Sequence, residues 1–148
     1  MPRIERTAEI VWEGNLARGA GTISAATGAF AELPYSNAAR IGQPEGKTSP
    51  EELLAAAHGG CFTMSLAGEL TRLGRPPERL EVTCRIVMDE VEGQGHQIVG
   101  SELTATVRAL NLDESTLATG VAQADDGCPF SALLKRAGAT VDVAAVLV

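Results

Sequence analysis

The stretch TSPEELLAAAHGGCFTMSLAGELTRL, from Thr48 to Leu73, constrains the fold more than any other part of the chain. Ser49 can cap a helix, and Pro50 suits its first position, where a missing N–H loses no partner. Glu52 falls three residues after Ser49 and completes a capping box; Gly74 supplies a C-terminal stop. Leu53 to Ala67 contains no Asp, Glu, Lys or Arg. A helix that is apolar on every face is enclosed by protein or by lipid. These fifteen uncharged residues include His58, Gly59 and Gly60, which makes them too short and too polar to span a bilayer. One long helix buried in protein, with Cys61 at its middle, is therefore predicted.

The remaining segments read mostly as strands. Ile4 to Glu13 alternates, with Ile4, Ala8, Ile10 and Trp12 on one side and Glu5, Thr7, Glu9 and Glu13 on the other, which predicts a half-buried strand with Trp12 in the core. Gly14-Asn15 ends it. Short strands are expected at Thr22–Ala26 and Ala29–Leu33, and a loop from Pro34 to Lys47, where Gly42, Pro44 and Gly46 break any periodicity. Beyond Arg75-Pro76-Pro77, Leu80, Val82, Cys84, Ile86 and Met88 alternate with polar residues. A turn at Glu92–His96 leads to a partner strand that carries Leu103, Ala105, Val107 and Ala109 inward. Asp113 caps a second helix reaching about Asp126, closed by Gly127. Cys128-Pro129-Phe130 opens a third, and Val141–Val148 is apolar enough for a last strand. The fold class is α+β: antiparallel strands in two groups around a long central helix.

Composition limits the partners. A chain of 148 residues without internal repeat or long linker is expected to form a single domain, 1–148. Its net charge of −7 argues against nucleic acid and against an anionic membrane surface. MPRIERTAEI lacks the apolar core of a signal peptide, so a cytoplasmic location is expected. Three cysteines are too few, and an odd number, for a disulfide scaffold.

Cys61 is the main candidate for chemistry. An activated thiol is a strong nucleophile near neutral pH, whereas an ordinary free cysteine is a small buried hydrophobe. Gly59 and Gly60 favour the first reading because they leave room for close approach. Cys128 stands at a helix start, where the helix dipole favours a thiolate; Cys84, on the inward face of a strand, reads as core. Arg40, among Ala38, Ala39 and Ile41, suits a carboxylate or a developing negative charge, and Glu51 can orient it as a bidentate partner. Equally, Glu51 can simply complement the helix dipole. His58, three residues before Cys61, is either a base or ligand or, more commonly, a satisfied buried histidine. The spacing of His58, Cys61 and Cys128 matches no familiar zinc site, and neither metal nor cofactor is expected.

These residues carry a family resemblance across nearly the whole chain. WEGNLARGAGTIS from Trp12, PY from Pro34 leading to Arg40, TSPEELLAAAHGGCF in the long helix and GCPFS from Gly127 resemble the OsmC/Ohr family of cysteine-based peroxidases, on its OsmC side. The resemblance implies an intertwined homodimer and a role in stress defence. It assigns Cys61 as the peroxidatic residue, Cys128 as the resolving one, and Arg40 and Glu51 as their electrostatic partners. Cys61 would become a sulfenic acid on attacking a hydroperoxide, then form a Cys61–Cys128 disulfide. A dithiol would reduce that bond, and the Ohr branch suggests a lipoylated protein. Phe62, Met64 and Phe130, beside the cysteines in sequence, are expected to form an apolar wall favouring organic hydroperoxides. The alternative is a member of the same fold that binds a small molecule or senses redox state without turnover.

One inference from spacing stands apart from the resemblance. Glu51 and Cys61 are ten residues apart, about 15 Å along a continuous helix. If both serve one site, Glu51 comes from a second chain across a two-fold axis.

Overall fold

A computed structural model describes residues 2–148. The chain clusters into two compact units, Met1–Pro50 and Glu51–Val148, each of which carries a three-stranded sheet.

In the first unit, β1 (Ala8–Glu13), β2 (Ala20–Ala25) and β3 (Leu33–Tyr35) form an antiparallel sheet in that order. Gly21 pairs with Trp12 on one side and Tyr35 on the other. The two rings approach each other across it, with centroids 5.4 Å apart and planes at 60°. A Cβ at Gly21 would stand 2.6 Å from the Tyr35 ring, so the aromatic pair requires glycine there. Trp12 is half-buried rather than in the core, and its indole N–H donates to the Gly14 carbonyl at 2.9 Å. Most of β1 is exposed within the chain, including Ile10 and Val11.

Two expectations for this unit are corrected. Residues 29–32 are not a strand; the third strand starts at Leu33. The expected loop from Pro34 to Lys47 contains the rest of β3 and a short helix, α1 (Asn37–Ile41). The Ser36 hydroxyl caps that helix by accepting the Ala39 N–H at 3.1 Å. Five residues are too few to show a helical period, which is why the cap alone marks it.

The second unit is built on α2 (Pro50–Arg72), which runs unbroken through Gly59 and Gly60. At its end the Gly74 N–H bonds the Thr71 carbonyl at 3.0 Å and the Arg75 N–H bonds Leu70 at 2.8 Å, so carbonyls the helix would leave open are satisfied. Next come β4 (Arg79–Val91), β5 (Gly95–Arg108), α3 (Glu114–Gly127), α4 (Pro129–Arg136) and β6 (Thr140–Leu147). β4 and β5 form the expected hairpin, with an irregularity between Val87 and Met88. β6 lies parallel to β5, which corrects the expectation of antiparallel pairing throughout. The two-helix connection carries the chain back to the starting end of β5, as a parallel pairing requires.

His58, Phe62, Leu66 and Leu70 recur every four residues on one side of α2 and are wholly buried. Phe62, Leu66 and Leu70 meet Leu103, Ala105 and Val107 of β5 and Leu117 and Ala124 of α3 in one core. Helix and sheet come close: a Cβ on Gly59 would lie 3.1 Å from the Cys84 Cβ. Burial is not complete around α2, however. Glu52, Ala56, Gly60, Met64 and Gly68 form an exposed stripe within the chain, and Met64 is 78% exposed. The expectation of a helix enclosed on every side is therefore corrected, because the sheet and α3 cover only part of its circumference.

Leu66→Ala removes a fully buried side chain from this core. It should cost about 2–5 kcal/mol of stability, read as a lower urea midpoint at unchanged slope.

Candidate functional site

The sequence of α4 explains what it presents to Cys61. Cys128 is the N-cap, in extended conformation at φ −83° and ψ 114°, and Pro129 follows at the first helical position. The first N–H groups of a helix have no partner within it. The Phe130 N–H is one of these, and its dipole favours the ionised form of Cys61. The Cys128 thiol is close enough to Cys61 to influence its ionisation. Both thiols are free, Cys61 half-buried and Cys128 fully buried.

Burial pushes the Cys61 thiol above its usual pKa, because desolvation disfavours the charged form. The neighbouring Cys128 pushes it the same way, while the Phe130 N–H acts against both. Cys61 is thus less readily ionised than a free thiol.

Directly behind Cys61 lies a polar cluster inside the core. His58 is fully buried and held at both ring nitrogens: Nδ1 is 2.6 Å from Ser101 Oγ on β5, and Nε2 is 2.8 Å from Ser131 Oγ on α4. Burial lowers its pKa, opposed by the charge of Asp125 and assisted by Lys135. A neutral imidazole donates through one nitrogen and accepts through the other, so one serine accepts and the other donates. Cys84 Sγ lies 3.3 Å from Ser101 Oγ and 3.9 Å from His58 Nδ1. Lys135 Nζ bonds Asp125 Oδ2 at 2.6 Å and ties α4 to α3, while Asp125 Oδ1 is buried without a hydrogen bond among the described residues. His58 is therefore the satisfied core histidine of the simpler reading.

Ser101 and Ser131 were not singled out from sequence. The signal was present for Ser101, which falls in register with the inward residues Leu103, Ala105 and Val107. A serine at such a position needs a buried partner.

The other predicted residues are distributed as follows. Arg40 is exposed in the last turn of α1, in the first unit. It lines a pocket of about 50 Å³ with Trp12, Leu16, Tyr35, Ser36, Asn37 and Pro50. Glu51 is half-buried in the first turn of α2. The continuous helix separates it from Cys61 of its own chain by about 15 Å. Phe62 is wholly buried in the core, Met64 is exposed, and Phe130 is partly buried against the core.

Residues 42–144 match the family model for OsmC-like proteins. Peroxiredoxin OsmC of Escherichia coli (strain K12) is 35% identical over 132 residues, spanning 89% of this chain and 91% of that one. The chain belongs to the OsmC-like family. Solved OsmC structures share its fold. An organic hydroperoxide resistance protein OsmC from Legionella pneumophila superposes with a TM-score of 0.69 at 19% identity, covering 98% of each chain. An OsmC-like protein of unknown function from Vibrio cholerae gives 0.79 at 14% identity, covering 97% of this chain and 100% of that one. The OsmC-like fold is thus kept at low identity.

Cys128→Ala removes two of the influences that raise the Cys61 pKa. Cys61 should then ionise at lower pH. Its alkylation rate, followed by mass spectrometry across a pH series, should inflect at lower pH in the variant than in the wild type.

Proposed function

We propose that this OsmC-like chain is a thiol-dependent peroxidase that reduces organic hydroperoxides to alcohols. The observation that carries the reading is two free thiols, Cys61 and Cys128, whose ionisation is coupled by proximity beside the start of a helix. The 35% identity to peroxiredoxin OsmC supports the same reaction class. In the first step the Cys61 thiolate attacks one hydroperoxide oxygen. The S–O bond forms, the O–O bond breaks, and the departing alkoxide takes a proton to become the alcohol, leaving a Cys61 sulfenic acid. The Cys128 sulfur then displaces the hydroxyl group from Cys61, forming the disulfide and releasing water. An external dithiol supplies two electrons to restore both thiols, and by family analogy a lipoylated protein fills that role.

Burial opposes ionisation of Cys61, so the first step needs a cation beside the sulfur. We assign that role to Arg40, oriented by Glu51, which also stabilises charge on the departing oxygen. Because α2 is unbroken, Glu51 of the same chain is too far from Cys61 to take part. A second copy of the chain supplies Glu51, and Arg40 with it. Beyond Glu52, the exposed stripe of Ala56, Gly60, Met64 and Gly68 supports a homodimer: these four are uncharged, and the small ones admit a close neighbour. In that assembly Phe130 and Met64 are the apolar groups available to the organic part of the substrate, while Phe62 acts from within the core. No helix among the described residues is long and apolar enough to cross a membrane, and we place the enzyme in the cytoplasm.

Wild-type protein with dihydrolipoamide should consume cumene hydroperoxide faster than hydrogen peroxide, and Cys61→Ser should abolish both activities. Equal rates for the two peroxides would remove the organic preference; unchanged consumption by Cys61→Ser would remove the mechanism. Arg40→Ala and Cys61→Ser should each be inactive alone. Mixed and allowed to exchange subunits, they should recover about a quarter of wild-type activity, because half the dimers are mixed and each mixed dimer has one complete site. Absence of recovery despite mixed dimers would place Arg40 and Cys61 of one site in the same chain.

A further inference from the structure

His58 takes no part in the steps above, yet it is a fully buried polar side chain with both nitrogens bonded. Its position explains why such a group sits in an apolar core. His58 lies on α2 three residues before Cys61, on the same side of the helix. Ser131, its partner at 2.8 Å, is in the first turn of α4. It follows Phe130, whose N–H favours ionisation of Cys61, and lies three residues after Cys128. The His58–Ser131 bond therefore crosses between the same two helices as the Cys61–Cys128 contact. The second bond, from Nδ1 to Ser101 at 2.6 Å, anchors the ring to β5.

We propose that His58 is a positioning residue. Through Ser131 it holds the first turn of α4 against α2, so that Cys128 and the Phe130 N–H stay on Cys61. It moves no proton in the reaction. Neither Asp125, joined to Lys135 at 2.6 Å on the α3–α4 side, nor Cys84, at 3.9 Å from Nδ1, supplies an equivalent link to α2 at that turn. The inference rests on the proposed disulfide chemistry: Cys61 sulfenic acid and Cys128 thiol give the disulfide and water. That step needs the two sulfurs near contact, and a displacement of about 1 Å can slow a reaction by about a hundredfold.

Ser131→Ala removes one hydroxyl and leaves both cysteines in place. Two quantities would be measured. One is the rate of disulfide formation after a single equivalent of cumene hydroperoxide, with dimedone trapping the sulfenic acid. The other is the pH at which Cys61 alkylation inflects, which requires no peroxide. Ser131→Ala should slow disulfide formation about tenfold or more, accumulate dimedone-reactive Cys61, and move the alkylation inflection to lower pH, because the turn takes with it the Cys128 influences, which outweigh that of the Phe130 N–H. Ser101→Ala breaks the other bond of the same ring, so it controls for the loss of a buried hydrogen bond and should slow the step less. Gln at position 58 reaches where Nε2 lies and Asn reaches only where Nδ1 lies. His58→Gln should therefore recover most of the disulfide rate, and His58→Asn should behave like Ser131→Ala. Wild-type values of both quantities in Ser131→Ala would overturn the proposal, as would equal slowing in Ser131→Ala and Ser101→Ala. Failure of the wild type to form any disulfide would instead overturn the peroxidase reading, while the alkylation inflection would still report on the link to Ser131.

Discussion

A thiol partly withdrawn from water ionises reluctantly, and this electrostatic constraint governs the arrangement around Cys61. Burial and the neighbouring Cys128 both favour the protonated form. A single N–H from the start of α4 works the other way, and one dipolar donor offsets only part of a desolvation effect. The apolar setting that suits an organic substrate therefore creates a demand for positive charge. In the proposed assembly a second copy meets that demand with Arg40, so that reactivity is tied to association.

The unbroken course of α2 links this chemistry to the fold. A straight helix of 23 residues acts as a rigid spacer. It carries Glu51 at one end, Cys61 near the middle and the core residues Leu66 and Leu70 beyond. Along one side, His58, Phe62, Leu66 and Leu70 bind it to its own sheet and helices. Along another, small uncharged residues remain open to solvent in the single chain. Exposing Met64 and the glycines one turn to either side brings no gain to a monomer, and in the proposed assembly the same surface meets a neighbour. One helix thus supports the core and the proposed interface with different faces.

Much of this was legible locally. Pro50 at the start of α2, Asp113 as the cap of α3 and Pro129 at the start of α4 marked three helices, because caps and proline act on the few residues around them. The Asp113 side chain accepts the Thr116 N–H at 2.7 Å. Alternation placed Leu103, Ala105 and Val107 inward and set the β4–β5 hairpin. Short elements were harder to see. The α1 helix is under two turns and its apolar residues show no period, while the third strand is displaced because Pro34 has the local signature of a breaker yet sits in an edge strand. Trp12 illustrates a different limit: hydrophobic character suggested the core, but its ring rests half-buried over Gly21 against Tyr35.

By itself, the sequence determined the existence of the long helix, the place of Cys61 within it, the helix start at Cys128-Pro129, and the separation of Glu51 from Cys61, since each follows from spacing or capping within one continuous segment. Only the tertiary structure decided that β6 runs parallel to β5, that His58 is joined to Ser101 and Ser131, and that the start of α4 comes close enough to Cys61 to influence its ionisation. These contacts join residues 43 and 73 positions apart in the case of the histidine. Their partners are chosen by how helices and sheet pack together, and no local pattern of polar and apolar residues encodes that choice.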